Sequence, residues 1–136
     1  MNLVTWRQGL CCLAMVVLLV PSALGETRLT PEVYVDIRLS ALALTVEGIQ
    51  QRLTRLKESP YDNEDQRRVG RIVQSEVDRV FEENGVTKRA FLEYGAEHAG
   101  AIEAWLNENP SVARRFSDLK ARRSSLSKQI KALKEE

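Results

Sequence analysis

The chain has 136 residues, with 20 Lys and Arg against 19 Asp and Glu, one histidine and two cysteines. A chain of this length supports one domain, and its balanced charge gives no bulk attraction to nucleic acid or anionic membrane. One histidine and two adjacent cysteines, Cys11 and Cys12, leave too few ligands for a Cys/His zinc site, so no metal or other cofactor is expected.

The first residues, "MNLVTWRQGLCCLAMVVLLVPSALGE", place one base, Arg7, before an unbroken apolar run from Leu10 to Val20. Pro21 and the small residues Ser22, Ala23 and Gly25 follow. That order is a secretory signal peptide, with Ala23 and Gly25 at the −3 and −1 positions and cleavage between Gly25 and Glu26. The run is 11 residues long, short of the roughly 20 that a membrane-spanning helix needs, which disfavours a retained anchor. Both cysteines lie at the front of the run, whereas a lipid-anchoring cysteine belongs at its end. The chain thus divides into a signal peptide, 1–25, and one helical domain, 26–136, which contains no cysteine and relies on its core alone.

Breaks at "SPYDNED", "ENGVT" and "NENPS" divide that domain into four predicted helices. The first covers Pro31 to Glu58, with Thr30 as cap and Pro31 in the first helical position. Val35, Leu39, Leu42, Val46, Ile49, Leu53 and Leu56 alternate spacings of four and three, giving one apolar stripe. Val33, Ile37, Ala41 and Leu44 widen it, so the first half should be buried on two sides, while Gly48 weakens the middle by about 1 kcal/mol relative to Ala.

The second predicted helix covers Glu64 to Asn84, with Asn63 as cap, Gln66 as its reciprocal partner, and an apolar stripe of Val69, Ile72, Val73, Val77, Val80 and Phe81. Gly85 after Asn84 reads as a left-handed helix stop. The third covers Lys88 to Glu108, capped by Thr87, with Lys88 and Arg89 opposing the dipole and predicting a frayed start. Phe91, Leu92, Gly95, His98, Ala99, Ile102, Trp105 and Leu106 fall on one face at 100° per residue. His98 is therefore expected in the core beside Tyr94 and Trp105, and Gly95 with Ala99 should admit a neighbouring helix closely.

The fourth, 110–134, starts at Pro110 behind Asn109 as cap. Val112, Phe116, Leu119, Arg123, Leu126, Ile130 and Leu133 repeat the four-three spacing, with Arg123 where an apolar residue belongs. A charge there is costly unless it snorkels or is paired, so Arg123 is a candidate register residue. The matched stripes of the first and last helices predict an antiparallel pairing, within one chain or between two.

Charge is uneven along this frame: Glu76 to Glu108 holds eight acids and three bases, and Ser111 to Glu136 holds eight bases and three acids. Catalytic patterns are absent. The scattered glycines form neither G-x-x-x-x-G-K nor G-x-G-x-x-G, no G-x-S-x-G is present, and Gly95 occupies the position where a di-iron bundle's Glu-x-x-His would place its Glu. The basic segment Arg114 to Lys131 spreads around its helix, so nucleic acid is not an expected partner. Membrane contact after removal of the signal is not expected either.

These observations predict an all-α fold, a helical bundle or long helical hairpin exported to the periplasm or secreted, acting as a non-enzymatic interaction or scaffold protein. Its partner would be another protein or a second copy, with Arg122, Arg123, Trp105 and His98 as candidate interaction residues. Two alternatives are a holdase-like chaperone displaying an apolar helical surface, and a small enzyme using His98.

Overall fold

A computed structural model describes residues 28–59 and 62–135; the expected signal peptide and the expected cleavage site between Gly25 and Glu26 lie outside the described residues. The fold is all-α. Five helices are present among the described residues: α1 (Pro31–Glu58), α2 (Asn63–Glu83), α3 (Lys88–Glu97), α4 (Ala99–Glu108) and α5 (Pro110–Glu135).

Local chemistry sets most of the boundaries. The Thr30 hydroxyl accepts from the Val33 amide at 3.3 Å, and Pro31 opens α1 as expected. The cap of α2 is one residue earlier than predicted: Asp62, not Asn63, accepts from the Asp65 amide at 2.8 Å. Gln66 consequently turns away from the cap and bonds α1, donating to the Arg52 carbonyl and accepting from the Arg52 Nε, both at 3.5 Å. At the end of α2, Gly85 takes a positive φ of 61°. The Val86 amide reaches back to the Phe81 carbonyl at 3.0 Å and the Gly85 amide to that of Glu82 at 3.0 Å, closing a Schellman-type stop.

Contrary to expectation, residues 88–108 form two helices. His98 breaks the run with φ −116° and ψ 23°, and is at once the last cap of α3 and the first of α4. Two glycines, Gly95 and Gly100, flank this point, each about 1 kcal/mol poorer than Ala in a helix. The predicted fraying at Lys88 does not shorten α3: Lys88 pairs with Asp78 of α2, Arg89 with Glu93, and the Thr87 hydroxyl accepts from the Ala90 amide at 3.1 Å.

Helix α1 is the centre of the molecule. Helices α2 and α5 each pack along it, with no comparable interface between themselves, so the three form an open layer. Along α2 the chain returns: Gly48 lies against Val73, and Arg55 against Asp65 at 3.6 Å. Helices α3 and α4 then cross the base of the layer, packing on the first half of α1.

That crossing overturns the antiparallel pairing of first and last helices within one chain. Phe116 near the start of α5 meets Arg38 near the start of α1, with 4.8 Å from guanidinium to ring centroid. Farther along both helices, Val46 and Leu53 cluster with Leu126, and Leu42, Ile49, Leu119 and Ile130 pack around them. Both helices advance in step, so they are parallel, and the matched stripes meet within one chain. Antiparallel pairing would need α5 to start at the far end of α1, but α2 has already brought the chain back.

The core follows from this layout. At the base, Tyr34, Val35, Ile37, Leu39, Val86, Phe91 and Ile102 are buried together, each such side chain stabilising the fold by roughly 1.5–3 kcal/mol. The expected two-sided burial of the first half of α1 is thus present. Gly48 has a packing reason: a Cβ there would come within 3.0 Å of Val73 Cγ1, so the small residue permits the α1–α2 crossing.

Candidate interaction surface

Of the candidate residues, Trp105 is half-buried against the base core, whereas His98, Arg122 and Arg123 are exposed. The core placement of His98 is therefore corrected. His98 is the residue at which α3 ends, its amide bonded to the Tyr94 carbonyl at 2.9 Å, and Leu92 and Ala99, assigned to the same face, are exposed too. The imidazole instead stacks on Tyr94, centroids 4.1 Å apart and planes 9° from parallel. When Nδ1 carries the proton it donates to the Tyr94 carbonyl at 3.2 Å, a second bond to an acceptor that already takes the His98 amide at 2.9 Å.

Tyr94 connects this surface ring to a buried aromatic cluster that sequence reasoning did not assemble. Tyr34 stacks on Phe91 at 4.3 Å and meets Tyr94 at 5.6 Å, and Phe81 meets the edge of Phe91 at 5.2 Å. Burial pushes the Tyr94 phenol above its ordinary pKa. Gly95 makes room for this arrangement, since a Cβ would lie 2.9 Å from Tyr34 Cζ. The close approach expected at Gly95 is real, while that at Ala99 is not. The available signal was the co-occurrence of Tyr34, Phe91 and a glycine one helical turn after Phe91.

Among the described residues no group of three or more His, Cys, Asp and Glu is placed to hold a metal, and no helix is long and apolar enough to cross a membrane. The charged side chains divide unequally. Half of the acids of α2 and α3 have partners: Asp65 pairs with Arg55 and Arg68, Glu76 with Arg79 at 2.7 Å, Asp78 with Lys88, and Glu93 with Arg89 at 2.8 Å, while Glu64, Glu82, Glu83 and Glu97 have none among the described residues. Hydrogen bonds from Lys88 and then Gln74 hold the Asp78 carboxyl below its ordinary pKa.

Helix α5 is the opposite case. Arg114, Arg115, Lys120, Arg122, Arg123, Lys128, Lys131 and Lys134 are all exposed. Among the described residues only Lys131 has an acid partner, Glu135 of the same helix at 3.7 Å. Arg123 is on the seam by spacing yet reaches solvent, as its charge demands. Lys120 lies 5.6 Å from the Phe116 centroid, so that half-buried ring has cations from two helices beside it. Chemically this surface can attract and orient acidic groups; it offers no nucleophile activated by a neighbouring base.

Compared with known protein families, with curated proteins and with solved structures, the chain matches none.

Proposed function

We propose that this is an exported, non-enzymatic interaction protein that uses the exposed flanks of α5 to hold an acidic protein surface. The observation that carries this reading is the set of exposed bases on α5, spread over about 30 Å of helix from Arg114 to Lys134, of which one alone has an acid partner among the described residues. Unpaired surface charges steer encounter and set specificity more than they add affinity. A chain that confined its bases to internal pairs would lack that capability.

The holdase reading receives less support. The large exposed apolar residues among those described are Ile72, Leu92 and Leu133, on three different helices. A client-binding cradle needs a contiguous apolar patch.

In-cell crosslinking tests the proposal directly. A photo-crosslinking amino acid in place of Arg122 should give a discrete adduct, lost when Arg115 and Lys128 are changed to Glu. Absence of any adduct from α5 would overturn the reading. So would turnover by the purified protein in a hydrolase panel if His98→Gln abolished it with helix content unchanged.

A further inference from the structure

Helices α2 and α5 leave one side of α1 uncovered between them. Val73 of α2 meets α1 at Gly48 and Asp65 meets it at Arg55, whereas α5 packs along Leu42, Val46, Ile49 and Leu53. At 100° per residue the two sets of contacts leave α1 roughly 130° apart around its axis. Ala41, Thr45 and Arg52 fall inside that arc, all half-buried, so they floor a trough whose walls are α2 and α5. Helices α3 and α4 close it at the base.

Charge is segregated across this central helix. All four acids of α1, Glu32, Asp36, Glu47 and Glu58, fall on the far side of its axis, about 140° or more from the middle of the arc. Bases gather at the trough instead. Arg38 comes within 4.8 Å and Lys120 within 5.6 Å of the Phe116 centroid, one base from each side of the α1–α5 seam. Arg123 is in phase with Phe116 two turns farther along α5, and Arg52 is on the floor, its Nε donating to the Gln66 side chain at 3.5 Å. None of these four bases has an acid partner among the described residues. The acids closest in phase to the walls, Asp78 and Glu135, are themselves held by Lys88 and Lys131.

The dimensions suit one further helix. Laid on α1 in this arc, its axis would be roughly 10 Å from those of α1, α2 and α5 at once, the spacing of packed helices. Ala41 and Thr45 are short enough to admit it, and the floor from Ala41 to Arg52 is about 17 Å long, or three turns.

We propose that this trough takes a helix of a partner protein, apolar where it meets Ala41 and Thr45 and acidic along the edge that meets Arg38, Lys120 and Arg123. The inference rests on the interaction reading above and gives its acidic partner a shape and a seat. Apolar contact with the floor supplies affinity, while the bases steer encounter and select the sign of the partner's charge. A basic helix of the same shape is repelled, which is where the specificity comes from.

The probe is a synthetic helical peptide of about four turns, with Ala and Leu on one face and Glu along both edges; its control has Lys in place of Glu. By fluorescence anisotropy at low ionic strength, the purified protein should bind the Glu peptide, and the Lys peptide weaker by roughly tenfold or more. Arg38→Glu with Arg123→Glu should weaken the Glu peptide by a similar factor. The same charge change on the outer flank of α5, Arg115→Glu with Arg122→Glu, should alter it by less than about threefold, being farther away and screened. Gly70→Gln fills the trough from the α2 wall, where a Cβ meets open space, and should weaken binding with helix content unchanged.

Failure to bind the Glu peptide, equal loss in the two double variants, or full binding by Gly70→Gln each overturns the trough as the seat. A photo-crosslinker at Thr45 should capture the Glu peptide; an adduct of twice the chain mass in its place would put a second copy in the trough and overturn the proposal. The crosslink from position 122 in cells separates this failure from failure of the interaction reading. An adduct there, together with trough variants that bind as wild type does, removes the trough and leaves the interaction reading standing.

Discussion

The base of the molecule and its arm are built from the same central helix but are held differently. At the base, α1 meets α3, α4 and α5 together with the end of α2, and seven buried residues with four further aromatic rings pack there: Phe81, Tyr94, Trp105 and Phe116. Along the arm, the α1–α5 seam has three buried residues, Val46, Leu53 and Leu126, all aliphatic. One helix packed from several directions excludes water on most sides; the same helix in an open layer does so on two. Stability should therefore be concentrated at the base, with the arm opening first. Interaction surfaces fit this division, because the arm carries the free cations while the base fixes where α5 begins.

The largest effect should come from breaking the base. Phe91→Ala removes the ring that Tyr34 stacks on and Phe81 abuts, and should cost about 3–5 kcal/mol in chemical denaturation. Much of the total stability of a domain of this size would then be lost. Leu126→Ala, the corresponding change in the arm, should cost about 2–3 kcal/mol, near the lower end for buried leucines because the open seam can relax. If Leu126→Ala proves the more damaging, the ranking of the two regions is wrong.

Two glycines sharpen the contrast on a smaller scale. Gly95→Ala pushes a Cβ toward the Tyr34 ring and should destabilise by about 1–3 kcal/mol. Gly100→Ala faces open space and should instead stabilise α4 by up to about 1 kcal/mol. The smallest effect concerns the Asp78 carboxyl, held below its ordinary pKa by Lys88 and Gln74. A depressed carboxyl pKa stabilises the fold above the unfolded value, and that contribution is lost as pH falls through the folded value. Asp78→Asn should accordingly be less stable than wild type at neutral pH, with the gap closing as pH falls below the ordinary carboxylate range.

Much of this frame is legible in the sequence. Stripe spacing in α1 and α5, the Thr30, Thr87 and Pro110 starts, and the stop at Gly85 follow from periodicity and capping, which are local. What was missed depends on three dimensions. Asp62 and Asn63 both have cap chemistry, and the choice between them depends on Gln66 having a partner on α1. The His98 break cannot be read from hydrophobic phase, because a 100° wheel assumes the continuity that the break destroys. Direction of pairing between α1 and α5 is equally invisible to two matched stripes; it depends on where α3 and α4 deliver the chain. Arg123 was recognisable as an anomaly, but the sequence could not show that the open layer gives it a way to solvent.

The central claim is that α5 runs parallel to α1 in an open layer, and a pair of spin-label distances tests it most directly. In a chain with Cys11 and Cys12 replaced by Ser, labels at Lys57 and Lys134, both exposed, mark the far ends of the two helices. A second pair at Lys57 and Ser111 marks opposite ends. In dilute samples doped with excess unlabelled protein, the parallel layer predicts a short Lys57–Lys134 distance, that of neighbouring helices about 10 Å apart plus the label arms. The Lys57–Ser111 distance should be longer by roughly the length of α5, about 35–40 Å along the axis. A short Lys57–Ser111 distance with a long Lys57–Lys134 distance would show the helices to be antiparallel and contradict the account.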